Sequence, residues 1–177
     1  ETWPDQLESH LRNQPVFAVI SGLVNGPWER IGDFCDRQRL PCLLPNSELP
    51  RLTNLEYGYS LYFSGGLALE AKALAVYLAS LPVPPRTIKQ VWRNDPYGEI
   101  PATAFSTAIA ELLTETEIDN DSYTDGSEID AVLSAHRGEM QAEVLVLWPG
   151  EQAIPALEAI TRIDSGYKLV TLPSGAL

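Results

Sequence analysis

At Tyr59-Ser-Leu-Tyr-Phe-Ser-Gly-Gly66 the chain turns from an aromatic strand pattern into a helix pattern, Leu67-Ala-Leu-Glu-Ala-Lys-Ala-Leu-Ala-Val-Tyr-Leu78. The two glycines interrupt the strand, and the spacing of Leu67, Ala71, Leu74 and Leu78 then places one apolar stripe along the helix. The stretch therefore predicts a crossover between two α/β units. The Gly-Gly break is a candidate position for a ligand cleft.

The sequence upstream of this crossover predicts part of an α/β unit. The nearly continuous apolar run at 16–20 is typical of a strand buried on both faces of a parallel sheet. Pro27 suits the first turn of a helix over about 27–37, and a short buried strand follows at 41–45 between two prolines. These patterns predict a partial first lobe over residues 1–64, with two to three strands.

Downstream of the crossover, strand and helix patterns alternate regularly. Strands are predicted at 87–92, 144–148 and 167–172, with a short one near 116–118. The acidic stretch 115–130 is otherwise predicted to be a solvated loop, and Ser127 with Asp130 resembles a helix cap. Strands separated by helices indicate a parallel sheet. We expect an α/β, Rossmann-like fold with helices on both faces of the sheet, and a second lobe over 65–177 that either stands separately or packs with the first as one compact unit.

Composition excludes several classes of function. The 177 residues include 12 Lys plus Arg against 24 Asp plus Glu, a formal net charge of −12 that disfavours nucleic acid as a partner. No apolar run is long enough for direct membrane insertion. The sequence contains no phosphate loop, nucleophile elbow or zinc-protease motif, so it indicates no cofactor, no metal site and no catalytic residue.

Two cysteines, Cys35 and Cys42, leave two interpretations open. Seven positions separate them, between a predicted helix end and the next strand. They form either one disulfide, which would indicate an oxidising compartment, or two free thiols, of which one is buried on the strand and the other is partly exposed on the helix.

Candidate ligand-binding residues follow from the loops after the predicted strands, because open α/β sheets bind ligands at the carboxyl ends of their strands. These loops are rich in small, polar or aromatic residues. The candidates are Asn25, Ser47, Glu48, Gly66, Tyr97, Trp148 and Ser174. Tyr97 and Trp148 have a second interpretation, since an aromatic side chain in such a place can instead cap the sheet.

Several segments in their order along the chain carry a family resemblance: Val16-Phe-Ala-Val-Ile-Ser-Gly22, Leu40-Pro-Cys-Leu-Leu-Pro45, Tyr59-Ser-Leu-Tyr-Phe-Ser64, Asn94-Asp-Pro-Tyr-Gly98, Glu143-Val-Leu-Val-Leu-Trp148 and Tyr167-Lys-Leu-Val-Thr-Leu172. Together they resemble the middle portion of type I periplasmic solute-binding proteins, the branched-chain amino-acid-binding or extracellular ligand-binding receptor family of ABC transporters. Members of that family have two α/β lobes that close on a ligand.

The resemblance implies roles for some of the candidates. Ser47, beside Glu48, matches the loop that binds a ligand carboxylate, and Tyr97 and Trp148 match aromatic ligand contacts. Gly66 lies at the crossover, where the family's amino-acid binders place an acidic residue for the ligand ammonium group.

The expected function is therefore extracytoplasmic binding of a small solute in a cleft between the lobes, for ABC-type uptake. This implies a periplasmic or extracellular location and a membrane permease as a partner. One alternative is a ligand-sensing domain of a receptor or redox system. A second is a small α/β enzyme that uses the carboxylates of Asp95 and Glu48.

Overall fold

The computed structural model describes residues 3–20, 29–50, 58–135, 142–150, 153–162 and 166–173. The candidates Asn25 and Ser174 lie outside these ranges. The chain divides into two compact units, Glu1–Gly66 (unit 1) and Leu67–Leu177 (unit 2). The sequence placed this division after residue 64.

Unit 1 is built on a small parallel sheet. Its elements are α1 (Trp3–Asn13), β1 (Val19–Ile20), α2 (Glu29–Gln38), β2 (Cys42–Leu43) and β3 (Ser60–Leu61), and the strand order is β1-β2-β3. Among the described residues, the buried core contains Phe34, Cys35, Leu40 and Cys42, against which Leu7 and Leu11 of α1 and Val19 of β1 pack. Both helices therefore contribute to the core that contains Val19 and Cys42.

The expectation of a fully buried strand at 16–20 is wrong. Only Val19 and Ile20 form strand pairs, and Phe17 and Ile20 are 89% and 71% exposed. Pairing places Ile20, Leu43 and Leu61 in one row, whereas Val19 and Cys42 belong to the row that faces the core. Since alternate residues of a strand point to opposite faces, a core on one face leaves the apolar side chains of the other face exposed.

Unit 2 contains a four-stranded parallel sheet. Its elements are α3 (Gly66–Ala79, which starts at the last residue of unit 1), β4 (Thr87–Arg93), α4 (Pro96–Leu112), β5 (Glu117–Tyr123), a 3-10 turn (Gly126–Glu128), α5 (Ile129–Ala135), β6 (Val144–Trp148), α6 (Ala153–Arg162) and β7 (Leu169–Thr171). The order is β5-β4-β6-β7, with all pairs parallel. The chain therefore steps from β4 to one side, returns past it to β6, and continues to β7.

Helices cover both faces of this sheet. One core joins α3 and α4 to alternate residues of β4 and β6, including Ile88, Val146 and Trp148. The other joins α5 and α6 to the intervening residues, including Val91 and Leu147. These parallel strands with helices on both faces confirm the predicted α/β, Rossmann-like fold class. The central strand β6 is buried along its whole length, which explains its continuous apolar sequence.

The acidic stretch contains more regular structure than the sequence predicted. β5 pairs with β4 along all seven of its residues, well beyond the short strand expected near 116–118. The helix cap after it is formed by Asp125 with Glu128, not by Ser127 with Asp130. Accordingly the backbone N–H of Ser127 donates to Asp125, whose pKa this bond lowers, with a smaller effect in the same direction from the Ser127 side chain.

Candidate functional site

The carboxyl ends of β4 and β6 meet at the point where the strand order reverses, which is where open α/β sheets place their ligands. Gly150 follows β6 with a φ of +63°, a backbone conformation that favours glycine. A Cβ at this position would overlap the carboxylate of Asp95, which follows β4. The loops after the two strands are therefore in direct contact at this edge of the sheet.

Asp95 holds the start of α4 at this edge. Its Oδ1 accepts the backbone N–H of Gly98 at 2.9 Å, and its Oδ2 pairs with the guanidinium of Arg93 at 2.9 Å. An aspartate at this position satisfies an N–H group that the helix itself leaves unpaired. The carboxylate of Asp95 is therefore engaged by the fold.

A groove lies beside α4 and extends from the middle of the sheet to this edge. Its volume is about 510 Å³, within the range of about 300–1,000 Å³ typical of small-molecule sites. The floor is formed by alternate residues of β4, the residue that follows this strand and one residue of β5, namely Gln90, Trp92, Asn94 and Asn120. One stripe of α4 forms the wall, namely Glu99, Ala102, Thr103, Ser106 and Thr107.

Strand order explains why a groove exists at this place. α4 packs on β4 and β6, where Phe105 meets the ring of Trp148 edge to face. Among the described residues, none of β5 is a buried member of the core that α4 forms with β4 and β6. Gln90 of β4 lies between its pairing partners Val146 of β6 and Asn120 of β5. Across these three strands the side chains that face α4 thus change from apolar on β6 to polar on β4 and β5, and the groove lies on the polar side.

Gln90 organises the floor of the groove. It is 1% exposed, and its Nε2 donates to Asn120 Oδ1 at 2.8 Å and to Ser106 Oγ at 3.0 Å, with a longer bond to the carbonyl of Ala102. Its Oε1 accepts the indole N–H of Trp148 at 3.1 Å. A buried amide with all its groups satisfied gives the floor a defined geometry.

These bonds also orient the neighbouring amides. The indole N–H of Trp148 can only donate, so the oxygen of Gln90 must face it and the amino group must face Asn120. Asn120 therefore accepts with its oxygen and has its own amino group available. Asn94 donates to Thr124 at 3.1 Å, which leaves its side-chain oxygen available.

Tyr123 lies on the opposite face of the sheet, at the end of β5. The side chain is 2% exposed, and its hydroxyl has no hydrogen-bond partner among the described residues. Burial raises its pKa to about 12, against a lowering effect of the Arg93 charge and with a still smaller raising effect of the Asp95 charge. The phenol is therefore neutral over the physiological range.

Three candidates from the sequence come together in unit 1. A Cβ on Gly66, whose φ is +60°, would overlap the backbone oxygen of Glu48 and the ring of Pro50. Ser47 is buried, and its hydroxyl accepts the N–H of Leu49 at 3.2 Å, whereas Glu48 is exposed. Glycine is required at position 66 because the loop at 47–50 passes against its backbone.

The two aromatic candidates lie in unit 2. Tyr97 is half-buried in the first turn of α4, close to Asp95. Trp148 is 2% exposed, packs on Phe105 and donates to Gln90. Of the two interpretations of Trp148, these contacts support packing, because its ring is covered by the core.

Sequence reasoning did not identify Gln90, Trp92 or Asn120. Two signals were present: a glutamine inside a buried strand pattern, and hydroxyl residues at 103, 106 and 107 beside the apolar stripe of α4. Asn120 gave no signal, since it was assigned to a loop. It became a floor residue only through the pairing of β5 with β4.

The cysteines are joined as a disulfide between α2 and β2, with Cα atoms 6.3 Å apart and both residues buried. Within the described ranges, no group of three or more His, Cys, Asp or Glu residues could hold a metal ion. None of the described helices is long and apolar enough to cross a membrane.

Comparison with known proteins returns no matching family model and no matching curated protein.

Proposed function

We propose that this chain binds a small solute in the groove beside α4 and acts as an extracytoplasmic binding module, for ABC-type uptake through a membrane permease. The observation that carries the proposal is the groove itself, whose floor is held by Gln90 and which reaches the carboxyl edge of the sheet at Asn94. A rigid polar floor in a cavity of this size suits ligand recognition without large rearrangement.

The disulfide supports an extracytoplasmic location for the protein. A bond between Cys35 and Cys42 persists in oxidising compartments and is rare in the cytosol. A periplasmic or extracellular site of action accords with it.

The alternative of a small enzyme receives less support. Its proposed carboxylate Asp95 is engaged by the cap of α4 and by Arg93. The proposal accordingly assigns binding without turnover.

Thermal unfolding in the presence of pooled amino acids, dicarboxylates, sugars and sugar alcohols tests the proposal. We expect at least one pool to raise the melting temperature, because a ligand that binds only the folded state stabilises it. Mass spectrometry of the same pools should show every compound unchanged. Absence of any shift, or conversion of a compound, would contradict the proposal.

A blocking variant tests the position of the site. Thr103→Trp adds a large side chain to the wall of the groove at an exposed helix position. Ala110→Trp makes a comparable addition at an exposed position of α4 that does not line the groove. The first variant should lose the ligand-dependent shift and the second should retain it.

A further inference from the structure

We propose that the ligand of this groove is an uncharged polyhydroxylated solute, such as a monosaccharide, a short saccharide or a sugar alcohol. The inference rests on the proposed function, that the groove binds a solute, and adds the chemical class of that solute. Charge, hydrogen-bonding capacity and an aromatic surface each point to this class.

The charge of the lining disfavours ionic ligands. Glu99 is the only charged residue among the nine described residues that line the groove, and none of these nine is Lys or Arg. A carboxylate or phosphate would therefore lose hydration without gaining a cation, which is costly. An amino acid would pair its ammonium group with Glu99 but leave its carboxylate without a partner. A neutral ligand avoids both costs.

The available hydrogen-bonding groups are mixed in type. Asn120 offers an amino group, Asn94 offers a carbonyl oxygen, and the Thr103 hydroxyl can donate or accept. Each hydroxyl of a sugar or sugar alcohol also both donates and accepts. A lining that offers both donors and acceptors therefore matches such a ligand better than it matches a solute with groups of one type.

Trp92 adds an apolar surface to this polar lining. It is half-buried, packs against the core under α4, and contributes to the floor between Gln90 and Asn94. Its indole N–H forms no hydrogen bond to any described residue. An aromatic ring with a free polar edge can contact the C–H face of a sugar ring while it donates to a hydroxyl.

Gln90 makes this arrangement rigid without taking part in recognition. All its side-chain groups are engaged by Trp148, Ser106, Ala102 and Asn120. The amino group of Asn120 is thereby held in one orientation before any ligand arrives. Preorganised groups bind with less loss of conformational entropy.

Calorimetric titration of the whole chain with D-glucose, D-ribose, maltose and D-mannitol tests the inference, with L-leucine, succinate and phosphate as charged probes. We expect at least one neutral probe to bind and the charged probes not to bind. Asn120→Asp keeps an acceptor for Gln90 but replaces the available donor by an acceptor. It should weaken binding of the neutral probe at least tenfold, whereas Asn13→Asp, the same change at an exposed position of α1, should not.

A second readout reports on Trp92 directly. With 5-fluorotryptophan in the four tryptophan positions, the fluorine resonance that Trp92→Phe removes should shift on addition of the neutral probe. An unshifted resonance with intact binding would overturn the inference. If only charged probes bind, and Thr103→Trp blocks their binding, the inferred class of ligand is wrong, whereas the proposal that the groove binds a solute is retained. No binding by any probe or pool would overturn both.

Discussion

The buried phenol of Tyr123 makes a specific contribution to stability at high pH. Its pKa is raised from 10.0 to about 12 mainly by burial. Between pH 10 and 12 the unfolded chain releases this proton whereas the folded chain retains it. The free energy of unfolding therefore falls with rising pH, by up to about 1.4 kcal/mol per pH unit from this group. Tyr123→Phe should remove this part of the slope.

Urea unfolding at several pH values from 9 to 12 measures the effect. Tyr77→Phe removes an exposed phenol of α3 and is the matched control for the loss of a titrating tyrosine from the unfolded chain. The slope of the Tyr77→Phe protein should exceed that of the Tyr123→Phe protein. Equal slopes would show that Tyr123 ionises alike in both states.

Single residues were predictable where one physical requirement dominates. Glycine at 66 marked a special backbone position, and the structure gives the reason in the close approach of Glu48. Trp148 shows the limit of such reasoning. Its place at the end of a strand is evident in the sequence, but whether its ring meets a ligand or Phe105 depends on where α4 packs. That information is not local to the residue.

At the scale of the element, β5 depends on an ion-pair cluster with β4. Lys89 is 1% exposed, and its ammonium lies 2.6 Å from a carboxylate oxygen of Asp119 and 2.6 Å from one of Asp121. The two aspartates are alternate residues of β5, so they share one face of the strand. A buried ammonium is stable only with such partners.

Removal of both carboxylates from this cluster should be more damaging than removal of all three charged groups. Asp119→Asn with Asp121→Asn leaves a buried ammonium without a counter-charge, and we expect a loss of about 3–5 kcal/mol. Adding Lys89→Met to that double variant should recover most of the loss, because a neutral set has no charge to bury. Chemical unfolding of both proteins measures the difference.

A control separates charge from packing. Lys89→Met alone keeps the aliphatic volume but leaves two carboxylates side by side, which are partly exposed and can be hydrated. Its stability should fall between those of the other two variants. If the triple variant is as unstable as the double variant, the loss of the two carboxylates and not the unpaired charge of Lys89 accounts for the effect.

The extent of β5 illustrates which elements the sequence predicts. β6 was predicted with its observed bounds from its run of five consecutive apolar residues, all of which are buried. β5 contains Asp119, Asn120, Asp121 and Ser122, residues that are poor strand formers. Pairing with β4 and the contacts of Lys89 override that local preference, and neither is visible from the segment alone.

For the whole molecule, the alternation of strands and helices was enough to predict the α/β class. The order β5-β4-β6-β7 was not predictable from it, because each crossover can in principle place the next strand on either side. The groove depends on that order, since only an outer strand next to β4 leaves polar side chains beyond the cover of α4. The candidate site could not, therefore, be assembled from motifs.

Among the described residues of unit 1, the buried cluster is small, with four members of which two are Cys35 and Cys42. The disulfide closes a loop across seven positions, for which chain entropy gives about 2–3 kcal/mol of stabilisation. Because the strands of unit 1 have two residues each, we expect this bond to be a large share of its stability.

Hydrogen exchange measured by mass spectrometry on a Cys35→Ala, Cys42→Ala variant tests this expectation. Peptides that cover α2 and β2 should exchange at least tenfold faster than in the disulfide-bonded protein, since about 1.4 kcal/mol of lost stability corresponds to that factor when exchange requires opening of the unit. Peptides that cover β6 serve as the internal reference. The disulfide-bonded protein should also yield no free thiol after denaturation. Unchanged protection in α2 and β2 would show instead that packing around Phe34 and Leu40 holds unit 1 together without the covalent bond.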